Sequence, residues 1–349
     1  MTDPVSHALR EGVSDGAWRQ ASLAVVRDGR VLLESHTGAP ETRFDIASVT
    51  KAYTAAAVLG RLDPDARVGW LDGAPSIGQL LSHTSGLPAW RPLFAHAARE
   101  LRAPPSRLAG EGCRTAQVRS AYRRLLASTK ADAPRPTYSD LGFLALGFVL
   151  EEATGRGLAE LVCVEGATFD AAGARPTGRG RPRPGNPLVE QETIAAAGSD
   201  DTALDAGPDD DNAACARGPC GHAGLFATAI QVARFGDRLI KDAESGTGGL
   251  LAPERGRLMF TRTAGSRTFG LDTPSGETPS IGHRLGRGPL GAAGHLGFAG
   301  CSLWMDRDLR VSVSLLSDAV SVSRPNPRLK SWRPRVHDAV AAALGFGGD

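Results

Sequence analysis

Two pairs of short apolar runs lie near opposite ends of this chain, and any fold must bring them together. Ala21–Arg27 and Arg30–His36 flank Asp28-Gly29, a dipeptide suited to a two-residue hairpin because both positions tolerate positive φ. Gly300–Asp306 and Leu309–Ser317, split by Arg307-Asp308, read as a second strand pair. A lone hairpin is marginal in water, so each pair needs further strands or helices against its apolar face. The stretch between them carries helical signals instead. Thr50–Leu62 is alanine-rich and stopped by Asp63-Pro64, while Ser76-Ile77-Gly78-Gln79 has capping-box spacing and predicts a short helix to about Ser82. Leu141–Ala153 is almost wholly apolar and closed by Thr154-Gly155, the mark of a buried helix. Thr228-Ala229-Ile230-Gln231 opens another helix to about Ile240, and Arg335–Leu344 forms a terminal one.

This order is an α+β pattern: an antiparallel sheet built from N- and C-terminal strands, flanked by helices, with a mainly helical subdomain inserted. The expected division is a single unit over 1–349. Residues 18–62 and 251–349 form its sheet part, and 63–250 its helical insertion. Residues 1–17 read as a polar leader or short helix. Thr115–Ala127 is a basic amphipathic helix, read as a solvated face. Glycine, proline and arginine dominate 166–190, including Arg175, Arg179, Arg181 and Arg183, which predicts a flexible loop. Gly198–Ala216 carries six aspartates and no base.

A formal net charge of +2 gives no global reason for nucleic acid or membrane binding. The N-terminus lacks the basic and apolar regions of a signal peptide, and no apolar stretch reaches membrane-spanning length. Five cysteines are odd in number and scattered, as expected of free thiols in a reducing compartment, so the expected location is cytoplasmic. Cys215 and Cys220 lack a second ligand pair, so no metal site is expected.

The chemistry-bearing stretch is Phe44-Asp45-Ile46-Ala47-Ser48-Val49-Thr50-Lys51. A serine hydroxyl is a poor nucleophile until a neighbour takes its proton. On a helix starting near Ser48, Ser48 and Lys51 lie one turn apart on one face, and the helix N-terminus favours developing negative charge. Only four lysines stand among 40 basic residues, and this is the chain's only Ser-x-x-Lys. Tyr138, one of three tyrosines, precedes the buried helix in a loop. It can act as a base only if an adjacent ammonium lowers its pKa from about 10, and Lys51 is the candidate. Gly294-His295-Leu296-Gly297-Phe298-Ala299-Gly300 precedes the C-terminal strands, with glycines that permit close approach of a backbone edge.

Together these stretches resemble the serine β-lactamase and penicillin-binding-protein superfamily, nearest to its class C-like esterase branch. Ser48-Val49-Thr50-Lys51 matches the nucleophile motif. Tyr138-Ser139-Asp140 stands in the place of Tyr-x-Asn, and His295-Leu296-Gly297 in the place of Lys-Thr-Gly. Leu80–Pro88, Cys220–Phe226 and Ser302–Asp306 also resemble that superfamily, so the likeness spans roughly Ala21 to Leu344.

The resemblance implies that Ser48 attacks an acyl carbonyl, that Tyr138 with Lys51 removes its proton, and that water or another acceptor resolves the acyl-enzyme. The oxyanion would lie between the backbone N–H groups of Ser48 and Phe298. No cofactor or metal is implied. The expected activity is hydrolysis of a small ester or amide, with weak or no β-lactamase activity. A biosynthetic acyltransferase and a non-catalytic binding pseudoenzyme are the alternatives. Asp140 replaces an amide that could donate to a substrate carbonyl and could pair with Lys51 instead. His295 replaces a permanently charged lysine. If it faces the pocket and titrates near 6.5, anionic substrates should gain on neutral ones as pH falls from 8 to 6. His83 and His222 are expected to pack loops, and the arginine- and aspartate-rich runs to be surface loops near the cleft rim.

Overall fold

The structure, a computed structural model, describes residues 3–103, 115–175 and 207–346. Helix α1 (Pro4–Ser14) is capped by Asp3, whose carboxylate accepts the N–H groups of Val5 and Ser6. Strands β1 (Ala21–Arg27) and β2 (Arg30–His36) form the expected hairpin, turning at Asp28 and Gly29 with φ of 53° and 80°. After the short strand β3 (Phe44–Asp45) and a 3-10 turn at Ala47–Val49 comes α2 (Thr50–Leu59), buried along its whole length.

The helical middle follows. Helix α3 (Ile77–Leu81) has its Ser76–Gln79 capping box in both directions, and α4 (Leu93–Leu101) and α5 (Thr115–Ser128) come next. Helix α6 (Asp140–Thr154) ends on Gly155 at φ 66°, the left-handed cap that its Thr-Gly pair predicts. Short helices α7 (Leu158–Val162) and α8 (Asp211–Ala216) precede β4 (Phe226–Ala227), which pairs with β3. Helix α9 (Ala229–Ser245) carries the second capping box, and α10 (Pro253–Leu258) leads back to the sheet.

Strands β5 (Ala292–Leu296), β6 (Ser302–Asp306) and β7 (Val311–Ser317) complete a five-stranded antiparallel sheet of order β2-β1-β7-β6-β5. The two ends of the chain meet at β1 and β7, where Leu23 faces Leu315. Helix α11 (Leu329–Ala343) begins earlier than its sequence suggests and runs through Pro334.

Strand alternation assigns the two faces. On one, Leu23, Val25, Trp304, Val313 and Leu315 pack with Leu9 of α1 and Val336 and Val340 of α11. Trp18 and Trp332 meet there edge-on, with centroids 5.8 Å apart. On the other face, Ala24, Val26, Leu303, Met305 and Leu316 join the core shared with α2, α6 and α9. A sheet covered on both sides explains why β1 reads as a nearly continuous apolar run and why even the serines of β7 (Ser312, Ser314 and Ser317) are buried.

The expected arginine-rich loop is tied down where it is described. Arg175 N donates to Arg43 O at 2.8 Å, and its side chain pairs with Asp318 at 2.7 Å. Arg179, Arg181 and Arg183 lie outside the described residues, as do the first three aspartates of the acidic run. No disulfide joins the four described cysteines, and Cys113 lies outside that set. Among the described residues no helix is long and apolar enough to cross a membrane, and no cluster of three or more His, Cys, Asp or Glu could hold a metal ion.

Candidate active site

Ser48 sits at the middle of the 3-10 turn that feeds α2, on a strained piece of backbone. Ala47 just before it has φ 48°, a left-handed conformation that costs a residue with a Cβ. Asp45 holds this turn: its Oδ1 accepts Ala47 N at 2.8 Å, and its Oδ2 accepts Asp209 N at 2.7 Å. One buried carboxyl thus joins the serine turn to the acidic loop. Burial pushes its pKa up to about 7 despite those two N–H donors.

Lys51 follows one turn later, fully shielded from solvent. Its ammonium donates to Ser48 Oγ at 2.8 Å and His222 O at 2.9 Å, and lies 2.8 Å from Asp140 Oδ1. Burial pulls the Lys51 pKa down, but Asp140 and then Tyr138 outweigh it, and the net direction is upward. The lysine is therefore an ammonium at neutral pH. The Asp140 carboxylate takes up that charge, which the amide of a Tyr-x-Asn motif could not do.

Tyr138 lies beside Lys51, whose ammonium is 5.0 Å from its ring centroid, and lines the same cleft as Ser48. Its pKa moves up: burial raises it, and the opposing pull of Lys51 is partly offset by Asp140. Lys51 thus pulls the phenol's pKa down as expected but does not bring it below its ordinary value, because the same pocket that brings the ammonium close removes the water that a phenolate needs. His83 packs its ring 4.5 Å from that of Tyr138, and its Nδ1 accepts Ser139 N at 2.9 Å. Burial, then Lys51, keeps this imidazole neutral, so His83 supports the tyrosine loop as a packing residue.

The third stretch lies on the edge strand β5. Gly294 exchanges backbone hydrogen bonds with Asp272 at 2.7 and 2.8 Å, so the outer edge is already covered there. Pairing stops before Phe298, whose N–H meets no acceptor among the described residues. A Cβ on Gly297 would lie 2.6 Å from Ile46 O, which fixes how closely this edge approaches the serine turn. Gly297 is small because two backbones meet there.

His295 differs from its expected behaviour. It is 3% exposed, its Nδ1 lies 2.8 Å from Leu296 O, and burial, then Lys51, lowers its pKa to about 3. It lines the cleft as a neutral imidazole and carries no charge between pH 6 and 8, because a second cation beside Lys51 without water is too costly.

Ser48, Tyr138, Asp140, His295, Gly297 and Phe298 line one cleft of about 670 Å³, with Lys51 buried behind them. Spacing in the sequence gave no sign of several other lining residues. Arg267 sits over the Tyr138 ring, 5.0 Å from its centroid, and pairs with Asp272 at 2.5 Å. The described end of the acidic run, expected as a surface loop near the cleft rim, is part of the wall and is buried or half-buried there: Asp209 pairs with Arg324 at 2.9 Å, and Asp210 lies 2.9 Å from His222 Nε2. Burial would raise the Asp210 pKa, but His222 and the N–H of Ala213 hold it well below the carboxylate range. His222 therefore does more than pack a loop, since its carbonyl anchors Lys51 and its ring anchors Asp210. Trp90 and the half-exposed Phe298, over which Arg324 stacks at 5.0 Å, supply apolar lining.

Comparison with known proteins identifies the family and the fold. The family model described as Beta-lactamase matches residues 5–338. A D-aminopeptidase of Brucella anthropi is 30% identical over 160 residues, covering 40% of this chain and 29% of that protein. The match thus spans under a third of the length of the curated relative. Among solved structures, a penicillin-binding protein homolog from Caulobacter crescentus superposes with a TM-score of 0.65 at 18% identity, covering 98% of this chain and 97% of that one. EstCE1, a hydrolase with promiscuous acyltransferase activity, gives a TM-score of 0.64 at 20% identity, covering 97% of both chains. SurE with D-Leu gives 0.61 at 24% identity, covering 99% of this chain and 77% of that one. These likenesses show the shared fold.

Proposed function

The chain belongs to the β-lactamase family, a fold family of serine hydrolases, and from that premise we propose that it hydrolyses a small ester or amide through an acyl-enzyme on Ser48. The observation that carries the reading is the Lys51 ammonium 2.8 Å from Ser48 Oγ and 5.0 Å from the Tyr138 ring centroid, beside an N–H of Phe298 that meets no acceptor among the described residues.

Ser48 Oγ attacks the acyl carbon as its proton passes to the phenolate form of Tyr138, which the Lys51 ammonium stabilises. The carbonyl oxygen gains the negative charge and is held by the N–H groups of Ser48 and Phe298. Collapse expels the alcohol or amine, which takes the proton from Tyr138. Water, deprotonated by the same phenolate, then attacks the ester of Ser48 and releases the acid. A neutral His295 in place of a charged lysine supports neutral acyl groups over carboxylate-bearing ones, and with them weak or absent β-lactamase activity.

Acyl transfer to an alcohol or amine is the second reading, since it shares every step up to the acyl-enzyme and differs only in the acceptor. The test is intact mass after incubation with a fluorophosphonate, with peptide mapping of the adduct and rates on nitrophenyl esters. A single adduct on Ser48, absent in Ser48→Ala, is expected. An unlabelled, inactive protein would instead support a binding pseudoenzyme. Product partition between water and added alcohol separates hydrolase from transferase.

A further inference from the structure

Arg333, on α11, is a half-buried cation with no ion-pair partner among the described residues, and its Nε is shut away from solvent without an acceptor. A guanidinium in that position is costly unless something nearby is negative or becomes so. Its Nη2 donates to Gly297 O at 2.6 Å and to Cys301 O at 3.1 Å. Gly297 N also donates to Cys301 O, at 2.7 Å. The carbonyl of Gly297 and the N–H of Phe298 belong to one peptide group. A cation bonded to the oxygen of an amide draws density from its nitrogen and makes the N–H a stronger donor. The bond to Gly297 O also constrains the plane of that peptide and hence the direction of the N–H.

We infer that Arg333 is a positioning residue of the oxyanion site, acting through the Gly297–Phe298 peptide: it orients and polarises the Phe298 N–H, and its charge is answered by the oxyanion that forms there. This rests on the acyl-enzyme reading of Ser48. It assigns α11 a part in the reaction: Arg333 lines the same cleft but acts through the peptide and not by holding the substrate. Burial holds the Arg333 pKa down at about 10, so the group is still cationic at neutral pH.

The test compares wild type, Arg333→Met, Arg333→Gln and Arg333→Lys on a neutral and a matched anionic nitrophenyl ester, with phenylboronic acid as a tetrahedral mimic. Arg333→Met should lower kcat for both esters by about 10-fold to 10²-fold, less than outright loss of an oxyanion donor costs, with KM changed by under about threefold. The boronic acid Ki should rise in step with the loss in kcat. Arg333→Lys should recover part of the rate, and Arg333→Gln, which keeps a donor without charge, less. If Arg333→Met does not fold, the Lys and Gln variants decide the matter by the same ranking. A change in KM confined to the anionic ester would overturn the inference and make Arg333 a direct carboxylate contact, and so would an unchanged kcat and Ki. If the wild type neither reacts with fluorophosphonate nor turns over ester, the Ser48 reading itself fails. A labelled, active wild type with an indifferent Arg333→Met sinks only the present inference.

Discussion

Lys51 Nζ and Asp140 Oδ1 stand 2.8 Å apart inside the site, and the charge of Asp140 acts upward on the pKa of both Lys51 and Tyr138. With the carboxylate present, Lys51 and Tyr138 both have raised pKa values. At neutral pH the resting site therefore holds an ammonium and a neutral phenol.

A pH profile follows. A base must be deprotonated to act, so kcat/KM should climb with pH into the alkaline range as Tyr138 ionises. In Asp140→Asn the negative charge that raises both groups is gone, and the rising limb should move to lower pH by about one unit or more. The measurement is kcat/KM for a neutral ester from pH 6 to 10 in both proteins. A limb that stays in place or moves up would separate Asp140 from the ionisation that governs the rate.

Gly297→Ala is expected to damage catalysis more than stability. The added Cβ would lie 2.6 Å from Ile46 O, a backbone atom, so either the edge strand or the serine turn must shift. A displacement of a few tenths of an ångström misaligns Phe298 N–H with Ser48 and should cost on the order of 10² in kcat. Steady-state kinetics beside a melting curve tests this. A variant with near wild-type kcat would show that the contact does not set the geometry.

The strand pairs and capping boxes were legible because their signals are local: Asp28-Gly29 and Ser76–Gln79 specify their own geometry within four residues. Ser48, Lys51 and Tyr138 were legible through the motifs of a known superfamily. The wall of the cleft was not. Asp209 with Arg324 and Arg267 over Tyr138 are pairings across the fold, and nothing in the chain before folding distinguishes those arginines from the others. His295 and Tyr138 were readable as positions but not as charges, because desolvation depends on what the fold packs around a group.

Acid should unfold the protein partly through its buried histidines. His337 is fully buried, its Nδ1 lies 2.8 Å from Arg333 O, and burial lowers its pKa to about 4. A histidine with a depressed folded pKa binds its proton more readily when unfolded. Its contribution is therefore whole above about 6.5 and is lost as pH falls from there through about 4. In His337→Gln, which can still donate to that carbonyl, this part of the acid loss disappears. The stability difference between wild type and variant should shift towards the variant by up to about 3 kcal/mol between pH 7 and pH 4. Denaturant melts at the two pH values measure it, and a difference independent of pH would contradict a neutral buried His337. Asp45 runs the other way, since its raised pKa costs stability as pH rises through about 7, so the comparison must be between variants and not of wild type alone.

The last expectation concerns His295 and substrate charge. Its pKa of about 3 leaves it neutral throughout the range where a lysine in its place would be an ammonium. The ratio of kcat/KM for matched anionic and neutral esters should therefore be flat from pH 6 to 8 as far as this residue is concerned, in place of the rise towards acid that an exposed imidazole would give. His295→Lys should not install carboxylate recognition. The site is 3% exposed and already holds Lys51, so a second ammonium there is expected to cost a few kcal/mol of stability or to stay neutral. Lysine works at this position only where the pocket leaves it water or an anion to answer it. The decisive measurement is the substrate ratio across pH for wild type and His295→Gln. A wild-type ratio that rises on acidification and a flat one in His295→Gln would mean that His295 titrates in the cleft after all.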